Sequence, residues 1–189
     1  MTPLPLSLPL RVLGDPILRK ETTPVTAITN DLRQLIDAMF MTMYAARGIG
    51  LAAPQVGRTE RLTIVDVKDE PLVLINPEVL ASSGMERDEE GCLSIPDIYG
   101  DVDRPSTIHF RAMDRDGNVF EREADGLLAR CVQHEIDHLH GKLFIDYLSV
   151  LKRRAALDQW AKEKEKYPGN VRVLTAEEIA KHHHRDEEL

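Results

Sequence analysis

The stretch "QHEIDHLHG" (133–141) constrains this chain more than any other. His134 and His138 stand four apart, with Glu135 directly after the first. On a helix that spacing brings both imidazoles to one face. Leu127, Cys131, His134 and His138 share that face, and Leu128, Val132, Glu135 and Leu139 share its neighbour. A helix that hides so wide an arc crosses the centre of a fold. Asp125 is its expected cap and Gly141 its stop. A buried glutamate between two histidines is costly unless something charged is near it. The pattern H-E-x-x-H therefore favours a metal ion over a solvated helix face.

Two ligands are too few. A catalytic zinc-type centre takes three protein ligands and keeps one open position. The extended form H-E-x-x-H-x-x-G-x-x-H fails here, because Gly141 is followed by Phe144 at the last position. Downstream carboxylates lie in a basic helix or a polar tail. Upstream, "EGCLSIP" (90–96) sets Cys92 on a bend between glycine and proline. Cys92 with His134 and His138 makes a chemically sound Cys/His2 set. By composition alone, a buried cysteine is more often a small core residue. Cys131, one turn before His134, is expected to line a pocket.

The remaining pattern is mixed. A helix is expected from a cap at Asn30 to about residue 46, with Gly48 ending it. Residues 61–67 and 71–80 are rich in branched aliphatics and predict strands. Residues 106–124 predict a hairpin turning at Asp116-Gly117. Ser149 predicts the cap of a third helix running to about residue 166, stopped by Pro168-Gly169. The expected class is α+β: short, mostly antiparallel strands around a central metal-binding helix, with an N-terminal and a C-terminal helix. One catalytic domain is expected over 1–167, and a polar, mobile tail over 168–189.

Charge and cysteine use narrow the setting. Net charge is −8, against wholesale coating of nucleic acid, and no DNA partner is expected. No apolar run approaches the ~20 residues of a membrane span. Two cysteines make no disulfide framework, which points to a reducing compartment and a cytosolic place, or to an organelle form whose leader is removed. Residues 149–167 carry six Lys or Arg against three acids, so +3 sits on a body of −11. Such a helix could meet RNA at the ribosome. The plainer reading is a solvated helix docked through Val150, Leu151 and Trp160.

A third unusual stretch is "GIGLAAPQVG" (48–57), two glycines and small residues leading to Gln55. It lacks the lysine and the preceding strand of a phosphate cradle. In order, "GIGLAAPQ", "EGCLSIP" and "HEIDH" resemble the G-x-G-x-A-A-x-Q, E-G-C-x-S and H-E-x-D-H motifs of the peptide deformylase family. The likeness extends from about residue 10 to 155, including "ILRKETTPV" and "GKLFIDYLSVLKR".

That resemblance implies hydrolytic removal of the formyl group from N-formylmethionyl peptides. It implies one divalent metal ion per chain on Cys92, His134 and His138. Ferrous iron is implied, with zinc, nickel or cobalt able to take the place; ligand chemistry alone says zinc. Glu135 would act as general base and then acid. Gln55 and the backbone N–H of Leu93 would donate to the formyl oxygen. Ile49, Gly50 and Gly91 would meet the extended peptide backbone, since glycine permits close approach. Leu127, Cys131 and Ile49 would line the methionine pocket, with Arg130 and Tyr99 at an uncertain rim. Glu90 could pair with Arg104 behind the metal. Asp137 either orients a ligand or is a solvated carboxylate.

Overall fold

The computed structural model describes residues 7–180. Helix α1 spans Asn30–Ala45 and packs Leu32, Leu35, Ile36, Met39 and Met43 into the core, one apolar face at helical spacing. Its cap is one residue earlier than expected. The Thr29 hydroxyl accepts from the Leu32 N–H at 3.1 Å, and Asn30 is already helical.

After α1 the chain enters a five-stranded antiparallel sheet. Its strands are β2 (Gly50–Ala52), β3 (Leu62–Asp66), β4 (Pro71–Ser83), β7 (Thr107–Met113) and β8 (Val119–Asp125), in the order β2-β3-β4-β7-β8. The hairpin expected at 106–124 is β7–β8, paired from Thr107↔Asp125 to Met113↔Val119. Gly117 takes φ 86° in its turn, where a side chain would be strained.

A second sheet is the hairpin of β5 (Glu86–Cys92) and β6 (Ile95–Arg104). The sequence reading assigned no strands here. β5 is a run of charged residues, exposed from Glu86 to Glu89, so no apolar alternation marks it.

Helix α2 (Gly126–Leu139) packs on the large sheet, and its Arg130 and His134 reach across to the β5–β6 hairpin. One side packs Ala129, Cys131 and Val132 against Val65, Leu74, Ile108 and Phe110 of the large sheet. Asp125 stands at the cap position, but its side chain makes no capping hydrogen bond. Gly141 closes the helix with φ 70°.

Helix α3 (Val150–Glu163) is capped by Ser149 as expected and continues as a 3-10 turn to Lys166. Its docking differs from the expected one. Ala156 and Trp160 are buried, whereas Val150 and Leu151 are 84% and 80% exposed. Trp160 stacks on Tyr167 and donates its indole N–H to the Leu13 carbonyl.

Past 167, within the stretch expected as a polar tail, the chain forms further secondary structure. Strand β9 (Val171–Arg172) pairs antiparallel with β1 (Leu10–Arg11), and Leu174 is buried beside Leu10 and Met43. Three apolar residues, Val171, Val173 and Leu174, sit in a segment whose average composition is polar. Residues 181–189, including the three consecutive histidines, lie outside the described residues.

Candidate active site

Segments distant in sequence meet at one cleft of about 520 Å³, and four of them carry the expected site residues. They are the start of β2, the 3-10 turn Ala53–Val56, the β5–β6 turn and helix α2. Ile49, Gly50, Gln55, Gly91, Cys92, Leu93, Leu127, Cys131, His134 and Glu135 all line it. His138 joins them one turn further down α2.

Cys92 ends β5 where the chain folds back through Leu93 and Ser94 into β6. That bend brings its sulfur to 3.3 Å from His138 Nε2. One ligand atom each from Cys92, His134 and His138 lies within 4.8 Å of the others. The imidazoles of His134 and His138 meet edge to face, 5.0 Å between centroids. A thiol and two imidazoles converging so closely have the spacing and donor chemistry of a four-coordinate divalent ion with one position left over.

What lies behind His134 sets its tautomer. Its Nδ1 is 2.9 Å from Glu90 Oε2. Burial pushes the Glu90 carboxyl up, but hydrogen bonds from His134 and Arg104 outweigh it and hold Glu90 at about 2. An ionised carboxylate only accepts, so Nδ1 carries a proton and Nε2 is the ring atom left to face the cleft. Glu90 is itself clamped. Arg104 donates Nε and Nη2 to its two oxygens at 2.5 and 2.9 Å, and Arg130 donates Nη1 at 2.9 Å. Arg104 also reaches Asp137 at 2.8 Å and lies over the Tyr147 ring. Two buried cations and two carboxylates thus form a closed, neutral layer.

The other polar residues of α2 at the site are not saturated. Glu135 is buried, and its Oε2 has no hydrogen-bond partner among the described residues. Burial pushes its carboxyl up to about 7. His138 Nδ1 is likewise unpaired, and burial lowers that imidazole well below its ordinary value. Near neutral pH His138 is therefore uncharged, as a metal ligand must be.

Gln55 is oriented by the backbone. The Ala52 N–H donates to its Oε1 at 2.8 Å, so the amide nitrogen must face the cleft. There Nε2 lies 3.2 Å from Ser94 Oγ and 3.6 Å from Cys92 Sγ.

The glycines also make room for other side chains of the same protein. A Cβ on Gly50 would stand 2.4 Å from Glu135 Oε1, and one on Gly91 would stand 2.6 Å from the Tyr99 ring. A Cβ on Gly48 would strike Leu93 at 2.7 Å. These positions are small because side chains of the same protein occupy the space. Leu127 and Ile49 are half exposed at the mouth, and the Cys131 thiol, 3.5 Å from the Ile49 carbonyl, is pushed well above its ordinary range by burial.

A family model for polypeptide deformylase matches residues 7–154. The chain belongs to the polypeptide deformylase family. A peptide deformylase of Hydrogenovibrio crunogenus is 58% identical over 149 residues, covering 77% of this chain and 88% of the relative. One from Acinetobacter baumannii is 50% identical over 177 residues, covering 92% of this chain and 97% of the relative. Among solved structures, the peptide deformylase of Synechococcus elongatus in complex with actinonin matches with a TM-score of 0.79 at 46% identity, covering 82% of this chain and 88% of that one. The family is one of metal-dependent hydrolases that act on formylated peptides, and the Cys92–His134–His138 cluster fits that dependence.

Three neighbours of the site take roles that the sequence left open. Arg130, expected at an uncertain rim, is buried and bonded to Glu90, Val102 O and Glu86 O. Asp137, equally readable as solvated, is the second anion of the closed layer. Ser94 stands two residues after the cysteine, but nothing in the sequence marked it as a partner of Gln55.

Proposed function

We propose that this chain removes the formyl group from N-terminal formyl-methionine with Glu135 as the proton carrier. In this reading Cys92, His134 and His138 hold one divalent ion, and Gln55 and the Leu93 N–H receive the growing charge. The observation that carries it is Glu135. It is a buried carboxyl with one unpartnered oxygen, beside three convergent ligand atoms and an amide nitrogen aimed the same way.

An ion on those three ligands would supply the Lewis acidity that brings a water's pKa down toward neutrality. Glu135, with a pKa of about 7, is poised to take a proton from that water and return it. As water oxygen bonds to the formyl carbon, negative charge moves onto the formyl oxygen. Gln55 Nε2 and the Leu93 N–H donate to it there. Glu135 then delivers the proton to the amine nitrogen as the C–N bond breaks, and formate and a free N-terminus leave. Leu127, Cys131 and Ile49 form the apolar wall for the methionine side chain. Glu90 holds the His134 ring throughout.

The native ion is read as ferrous iron, on the family resemblance; a single thiolate with two imidazoles also suits zinc, nickel or cobalt. A cytosolic place is read from the two unpaired cysteines. Among the described residues no helix is long and apolar enough to cross a membrane.

A second reading concerns α3. Val150 and Leu151 stand in solvent next to Lys152, Arg153 and Arg154, an apolar tip on a basic helix. That combination suits the ribosome, where the substrate emerges. Pelleting with ribosomes across a salt series, with and without Val150→Asp and Leu151→Asp, tests it; pelleting unchanged by the substitutions rejects it.

For the main reading, formate release from formyl-Met peptides is measured with metal-loaded protein and with Glu135→Ala. The expected loss is on the order of 10²–10⁴-fold. Absence of formate from the wild type, or equal rates from both, rejects it. Cleavage of an internally quenched peptide would point instead to a protease.

A further inference from the structure

The family match ends at residue 154, yet the chain beyond it returns to the cleft. β9 pairs with β1, and Arg172 of that pair lines the same cavity as Gln55, Leu93 and Glu135. The pairing is by backbone, Arg172 opposite Leu10, and does not use the side chain. Leu174 anchors the segment by burial against the cluster that holds Leu10 and Met43.

The guanidinium is poorly spent. Of its five donors, Nη2 bonds Glu178 Oε1 at 2.8 Å, and that is its one ion pair among the described residues. The side chain is 23% exposed, shielded enough for a charge to count and open enough for a ligand to reach. A second cation, Arg47, lines the cavity from the end of α1 and has no ion pair among the described residues. The exposed acids of the wall, Glu89 and Asp97, come from the β5–β6 hairpin instead, while Glu90 and Glu135 are buried. Among its exposed or half-buried groups the cleft therefore carries Arg47 and the Glu178-paired Arg172 on the α1/β9 side and acids on the hairpin side.

We propose that Arg172 is a specificity-determining residue that takes a carboxylate of the substrate downstream of the formyl-methionine. This rests on the deformylase reading and adds a preference to it. A partly exposed ion pair is worth a few-fold in affinity and is screened by salt. The carboxylate could be an acidic side chain or the terminal carboxylate of a short peptide.

The test uses the full metal-loaded chain and four peptides. They are formyl-Met-Ala-Ser as free acid, the same peptide as its amide, formyl-Met-Ala-Glu amide and formyl-Met-Ala-Lys amide. kcat and KM are measured separately at low and high salt. We expect at least one carboxylate-bearing peptide to have a KM about threefold below that of the neutral amide, with kcat alike and the advantage fading with salt. The free acid and the glutamyl amide distinguish the two sources. Arg172→Gln should abolish the advantage and Arg172→Lys retain part of it. A wild type indifferent to the carboxylate overturns the proposal, and so does an Arg172→Gln that lowers all four peptides equally, since that is the mark of a structural wall. Failure to deformylate any peptide strikes the underlying reading instead.

Discussion

Helix α2 has two flanks of opposite character. On the side of the β5–β6 hairpin, Arg130, His134 and Asp137 enter a layer where every charge is matched. Arg104 and Arg130 face Glu90 and Asp137, at distances of 2.5 to 2.9 Å. Outside that layer, Glu135 beside β2 and His138 beside Cys92 each keep a buried polar atom without a partner among the described residues. The same helix thus fixes geometry with one flank and leaves the other electrically unfinished. Saturated charges are stiff and chemically inert, and an unmatched buried carboxyl has a pKa free to move. Chemistry is expected where the pairing stops.

The largest test of this contrast is Glu135→Gln. It removes the proton carrier but keeps the shape. Activity should fall on the order of 10²–10⁴-fold, with one metal per chain still bound by elemental analysis. If metal content falls with activity, Glu135 belongs to the structural flank and the contrast is wrong.

The matching test on the saturated flank is Glu90→Gln. It leaves Arg104 and Arg130 buried without their shared anion, and loss of one partner from a buried pair typically costs about 3–5 kcal/mol. Denaturant unfolding should register that loss. Metal affinity should also drop about 10–100-fold as the His134 ring loosens. Asp137→Asn should cost less, because Glu90 still holds Arg104 through two bonds. A Glu90→Gln protein as stable as wild type would remove the layer's claim to be structural.

Gly50→Ala probes the boundary between the flanks. The new methyl would meet the Glu135 carboxylate at 2.4 Å. Displacement by about 1 Å can cost around 10²-fold in rate, and metal should remain. Unchanged activity would mean that Glu135 tolerates movement, contrary to its role as a positioned base.

This glycine also marks what the sequence could carry. The spacing of His134, Glu135 and His138 was legible because one helix turn relates them. Strands at 61–67 and the hairpin at 107–125 were legible because Ile64, Val65, Ile108 and Phe110 are apolar and buried. Gly50 was seen, but its cause lies 85 residues away, in a contact only the folded chain creates. Hairpin β5–β6 was illegible for a related reason. Its strand "ERDEE" is held by partners across the hairpin and beneath it, and Glu90 looks like its neighbour Glu89 until Arg104 and Arg130 are brought to it. The same holds for residues 171–174, where two strand residues and one buried leucine are too short a signal within a polar segment.

The smallest expected effect lies on the surface, where a charge cluster can be compared with the buried layer. Asp146 meets Arg19 and Arg153 and accepts from the Leu143 N–H, with a quarter of its side chain exposed. Burial pushes its carboxyl up, but the Arg19 hydrogen bond and the Leu143 N–H outweigh it and leave the pKa below its ordinary value. A pKa lower in the folded state stabilises the protein above the unfolded value of about 3.9 and ceases to do so as pH falls through the folded one. Asp146→Asn should therefore cost about 0.5 kcal/mol at pH 7, the scale of solvent-screened pairs. The difference from wild type should shrink below pH 4 and in high salt. Glu90→Gln should stay costly in high salt, because ions do not reach a buried layer. Equal salt sensitivity of the two variants would mean that water enters the layer, and that its stiffness comes from packing rather than from matched charge.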